Sequence, residues 1–80
     1  MLLMIERFTT ESGSTYEVKD GYMRRVSEEA MRRDGEWLKV LSVSEIRLGY
    51  PVSFVLEPLG EGDVTIRTTT QVTEYEIEYA

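Results

Sequence analysis

Short runs of β-branched and aromatic residues recur along this chain and are broken by Gly, Asp or Ser about every 8 to 12 residues, the punctuation of an antiparallel β protein. The spacing predicts strands at about 3–9, 14–18, 37–43, 52–57, 63–69 and 72–79. The expected fold is therefore mainly β: a small antiparallel barrel or sandwich of five to seven strands, with at most one short helix near residues 27–33. A chain of 80 residues makes one compact domain spanning 1–80. At that size only about 60 to 65% of the unfolded surface is buried, so the core is thin.

Two stretches test the pattern. Val52, Phe54 and Leu56 alternate with Ser53 and Glu57 before PLGEGD turns the chain toward Val64, Ile66 and Thr68, which predicts a hairpin with Leu56 and Val64 on one core face. Further on, Val72 and Tyr75 stand at an odd offset, which places them on opposite faces of a regular strand. A bulge near Thr73, or a bend at Thr69 and Thr70, restores a common face. Residues 19–36 admit two readings. In one, Lys19-Asp20-Gly21 is a three-residue hairpin loop, with Gly21 at positive φ, leading into a strand YMRRV. In the other, Asp20 caps a helix that runs through Arg33, with Arg24-Glu28-Arg32 and Arg25-Glu29-Arg33 as ladders. The favoured compromise is a strand to Val26 followed by a short helix capped by Ser27, with Gly35 after its end.

The chain has no cysteine and no histidine. These absences remove disulfides, thiolate nucleophiles, imidazole acid–base chemistry and the usual zinc ligands. Only carboxylates remain as acids or bases. Glu61 and Asp63 flank Gly62 in a turn, but two carboxylates fall short of the six or more oxygens that calcium takes. No enzymatic activity, cofactor or metal is expected. MLLMI is too short for a signal peptide or a membrane span, so the expectation is a cytoplasmic protein without a membrane partner, its start at Met1 or Met4. A net charge of −6 disfavours duplex nucleic acid as a partner.

Two binding chemistries stay open. Arg24, Arg25, Arg32 and Arg33 hold four of the nine basic residues and suit an anionic ligand such as a nucleotide phosphate, with Tyr22 or Trp37 stacking on a base. The plainer reading pairs them with Glu28, Glu29, Asp34 and Glu36, which lie among them. Trp37 is either a buried anchor at the head of WLKVLSV or an exposed contact for a protein partner. The second chemistry is acidic. Residues 57–80 carry six acidic groups and one arginine, net −5, and Glu74, Glu76 and Glu78 alternate with Tyr75, Ile77 and Tyr79. Such a row suits a basic protein surface. Its charges, about 6.8 Å apart, are too sparse to mimic duplex DNA at one charge per about 1.7 Å. The plainer reading makes it the solvated side of a strand.

TTESGSTYEV (9–18), RRDGEWLKV (32–40) and GDVTIRTTTQVTEYEI (62–77) resemble small orphan accessory proteins of tailed phages that infect Actinobacteria. The resemblance spans roughly half the chain, consists of turn and strand patterns, and carries no catalytic motif or assigned activity. It implies a non-structural protein made in the host cytoplasm and favours the strand reading of residues 22–26. The combined expectation is a binding module for a host protein, engaged through an exposed strand edge or the acidic face and modulating host defence or growth. The rivals are a nucleotide-type sequestering protein and a structural homo-oligomer joined by its oppositely charged regions.

Overall fold

A computed structural model describes residues 4–26, 36–58 and 64–79. Six strands, β1 (Met4–Thr10), β2 (Thr15–Lys19), β3 (Tyr22–Val26), β4 (Leu38–Val43), β5 (Pro51–Leu56) and β6 (Thr65–Tyr79), pair antiparallel in sequence order. β6 returns to β1 and closes the barrel. Of the two architectures expected, the barrel is the one observed. No helix occurs among the described residues; the short helix expected near 27–33 lies outside them.

The β2–β3 hairpin shows how the local sequence sets the register. Lys19 pairs directly with Tyr22, which leaves only Asp20 and Gly21 in the turn, at φ of 50° and 81°. Two successive positive φ values define a type I′ turn, whose twist matches that of the flanking strands; Asp and Gly are the residues that adopt it. The loop thus has two residues where three were expected. The strand that follows excludes a helix starting at Asp20.

Core residues follow the strand alternation. Phe8, Met23, Leu38, Val52, Phe54, Leu56 and Val72 are buried, with Tyr16, Val18, Val40, Ile46 and Tyr75 packed around them. Three rings form the centre: Phe8 stacks on Tyr16 at 5.1 Å and on Phe54 at 6.2 Å between centroids. Offset ring stacking adds about 0.5 to 1.5 kcal/mol per pair to the area these side chains bury.

The expected strands 63–69 and 72–79 are one continuous strand, β6, which pairs with β5 over its first half and with β1 over its second. Two extra residues make this possible. Thr10 faces Val72 while Thr9 faces Glu74, so Thr73 is a bulge residue and Val72 and Tyr75 share the inner face. Pro51 faces Gln71 while Ser53 faces Thr68, which places a second extra residue at Thr69–Thr70. Bulges bend and twist a strand without ending it, and β6 passes from one neighbour to the other through them.

The predicted sharing of a face by Leu56 and Val64 does not hold. Leu56 pairs with Thr65 and Phe54 with Arg67, so Thr65 and Arg67 take the core side, while Ile66 lies outward opposite Val55 and Val64 is exposed. The inner side of this stretch is only half-buried, which Thr and the aliphatic stem of Arg tolerate.

Candidate functional site

The barrel interior is filled by side chains. The features available for recognition therefore lie on its outer faces and at its ends.

β1 and the second half of β6 form a two-stranded ribbon. Arg7 pairs with Glu76, Ile5 with Glu78 and Thr9 with Glu74, which sends Glu74, Glu76 and Glu78 to one outward face, as the alternation predicted. Arg7 stands in the middle of that face. Its Nη1 donates to Glu76 at 2.8 Å and its Nη2 to Glu78 at 3.1 Å, while Nε and Nη2 donate to Glu17 on β2 at 3.1 and 2.8 Å. Glu17 also accepts from Nε of Arg24 on β3 at 2.6 Å. A charged chain thus crosses four strands in the order β6, β1, β2, β3.

Glu17 is the buried centre of this chain, with 6% of its surface exposed. Burial pushes its pKa up, but the hydrogen bonds from Arg7 and Arg24 and the nearby positive charges outweigh burial and hold the carboxyl below its ordinary value. Hydrogen bonds that Arg7 donates to Glu76, Glu17 and Glu78 raise its guanidinium above its own ordinary value. Glu76 and Glu78 keep 64% and 56% of their side chains exposed, so they can still meet a partner. Glu74 has no described ion pair. A hollow of about 200 Å³ lined by Arg7, Thr9, Glu74, Tyr75 and Glu76 lies beside the Thr73 bulge.

On the ribbon's inner face Phe8 pairs with Tyr75, Glu6 with Ile77 and Met4 with Tyr79. Tyr75 is half-buried against the core, whereas Ile77 and Tyr79 are exposed. Of the three apolar residues alternating with the glutamates, Tyr75 alone anchors the strand. Burial first, then the charge of Glu6, push the Tyr75 hydroxyl above its ordinary pKa.

The arginine candidates are not gathered into one site. Glu17 pairs with Arg24 and Tyr16 with Arg25, so Arg24 takes the outward face of β3 and Arg25 the inward one. Arg32 and Arg33 lie outside the described residues, as do Glu28, Glu29, Asp34, Glu61 and Asp63. Tyr22 is exposed on the outer face, directly opposite Lys19 and Lys39. Trp37 is half-buried just before β4, with the Lys19 ammonium 4.8 Å and the Arg24 guanidinium 4.6 Å from its ring centroid. Two cations occupy the ring surface that base stacking would need, and the contact ties the start of β4 to β2 and β3.

Sequence reading missed Arg7 and Glu17. They meet only through barrel closure, since Arg7 and Glu76 are 69 positions apart. The available hint was a lone arginine on a first strand that an acidic last strand must meet if the sheet closes.

Among the described residues no group of three or more acidic side chains is arranged to hold a metal ion. No described helix is long and apolar enough to cross a membrane. Comparison with protein-family models, curated proteins and solved structures finds no match to this chain.

Proposed function

We propose that this small β-barrel is a non-enzymatic binding module that engages the basic surface of a protein partner through the outward face of the β1–β6 ribbon. The observation that supports it is the arrangement of Glu74, Glu76 and Glu78 on one face with Arg7 as the single described cation among them. Three carboxylates against one guanidinium leave a net −2 on a ladder that Arg7 holds in place. Fixed charges of one sign steer an oppositely charged partner and set its register more than they add affinity.

In this reading, which follows the resemblance to actinophage accessory proteins, the partner is a host cytoplasmic protein whose defence or growth role the module would modulate. Barrel closure around six strands leaves no full-length open edge among the described strands, which favours the charged face over strand addition as the mode of contact. The dispersal of Arg24 and Arg25 to opposite faces, and the cations on Trp37, weigh against the nucleotide-sequestering alternative.

The test is affinity capture from an actinobacterial lysate with the wild type and with the triple variant Glu74→Gln/Glu76→Gln/Glu78→Gln, at low and moderate salt. A partner recovered by the wild type, weakened by salt and lost from the triple variant supports the reading. Equal recovery by both baits overturns the acidic-face mode.

A further inference from the structure

The ribbon's inner face carries a second site of different chemistry. Met4 and Tyr79 lie beyond Ile5↔Lys19, the last pair that β1 makes with β2, so this end of the ribbon overhangs the barrel. Next to this end, the segment from Val43 to Ile46 leaves β4 and passes against Glu6 and Tyr75. Between them is an open groove of about 430 Å³ lined by Glu6, Val43, Ser44, Glu45, Ile46 and Tyr75. Ile77, opposite Glu6 on the ribbon, and Val43 are both exposed. Val43, Ile46 and Tyr75 thus share a mixed lining with Ser44 and two carboxylates, and the exposed Ile77 stands next to it.

No cation lines this groove among the described residues. Arg7 is on the opposite face of the ribbon, and Arg47, the nearest along the chain, lies over the Tyr50 ring at 5.0 Å. Glu6 and Tyr75 line one side of the groove and Glu45 lies on the other. A mixed lining with two carboxylates that no described cation meets matches one kind of side chain well. Lys and Arg lay an aliphatic stem along apolar surface and deliver the charge at its tip.

We infer that this groove docks a cationic, apolar polypeptide segment of a partner, with apolar side chains against Val43, Ile46 and Ile77 and a Lys or Arg between Glu6 and Glu45. This site is independent of the outward acidic face and extends the ribbon's use to both of its sides.

The probe is the peptide acetyl-Leu-Arg-Leu-Lys-Leu-amide, titrated into the isotopically labelled protein and followed by amide chemical shifts. The control peptide carries Gln in place of Arg and Lys. The expected result is a set of shifts centred on Glu6, Val43–Ile46 and Ile77 with the cationic peptide and much weaker shifts with the control. At 0.2 to 1 kcal/mol per exposed pair, Glu45→Gln weakens binding about three-fold and Glu6→Gln/Glu45→Gln about ten-fold. Glu45 is exposed on a connection, so its single variant keeps the test valid if the double variant folds poorly. Equal binding of the two peptides, affinity unchanged in Glu45→Gln, shifts centred on Glu74–Glu78, or no shifts at all would each overturn the inference. Loss of lysate capture in the Glu74/Glu76/Glu78 variant with peptide binding intact separates the two sites.

Discussion

Glu17 offers the sharpest test of how the barrel's outer face is held together. Its carboxylate accepts from both Arg7 and Arg24 and is almost wholly buried. Removing one member of a fully buried ion pair costs about 3 to 5 kcal/mol, because the remaining charge is stranded. Here the cost is smaller: the arginine side chains are 32% and 35% exposed, and Arg7 keeps Glu76 and Glu78. Glu17→Ala is therefore expected to cost about 2 to 3 kcal/mol, and Glu17→Gln, which retains an acceptor and the volume, about 1 to 2. A domain of this length has a total stability on the order of 4 to 12 kcal/mol, so either loss is visible in urea unfolding. The pH dependence gives a second readout. Because the folded-state value of Glu17 lies below that of the unfolded chain, its contribution is fully present above about pH 4.3 and is lost as pH falls through the depressed folded value. The wild type should lose stability more steeply than Glu17→Gln in that acid range. A cost below about 0.5 kcal/mol for Glu17→Ala, with parallel acid profiles, would refute the buried-hub argument, since that is the behaviour of an ordinary surface pair.

Three further outcomes follow from the fold. Phe54→Ala, which removes a fully buried ring packed against both Phe8 and Tyr16, should cost about 3 to 5 kcal/mol in denaturant unfolding and is expected to leave the thin core near its limit. Gly21→Ala should cost about 1 to 2 kcal/mol by the same assay although nothing obstructs the new Cβ, because φ there is +81° and the penalty is conformational. Deleting Thr73 should cost about 0.5 to 3 kcal/mol, since it removes the bulge that bends β6 toward β1 and the bond from the Thr73 hydroxyl to the Thr9 carbonyl, while leaving Val72 and Tyr75 on one face. A lowered unfolding midpoint with the cross-strand proton contacts between Phe8 and Tyr75 kept would confirm it, and an unchanged midpoint would contradict it.

The parts of the fold legible in the sequence were those with local causes. Asp20-Gly21 marks its own turn, and the odd offset between Val72 and Tyr75 demands the irregularity that Thr73 supplies. The faces of residues 74–79 followed from simple alternation. Pairings across long loops were not legible. PLGEGD allows several loop geometries, and a shift of one residue exchanges the two faces of everything that follows, which is how Val64 rather than Thr65 came to be expected beside Leu56. The break expected between residues 69 and 72 is absent because bulges carry the chain through a bend that a turn would otherwise make. The charged chain across the barrel was hidden for a further reason. Arg7 and Glu17 look like solvated strand residues until closure brings β6 beside β1, and Lys19 joins Arg24 over Trp37 only through the register of β2 with β3.

The central claim is that a partner meets this protein on the β1–β6 ribbon. Amide hydrogen exchange of the captured complex, compared with the free protein, tests it most directly. Protection concentrated in residues 4–10 and 72–79 is the predicted result, with 43–46 added when the inner groove is occupied. Protection confined to the opposite outer face, around Leu41, Val55 and Ile66, with the ribbon unchanged, would contradict the account.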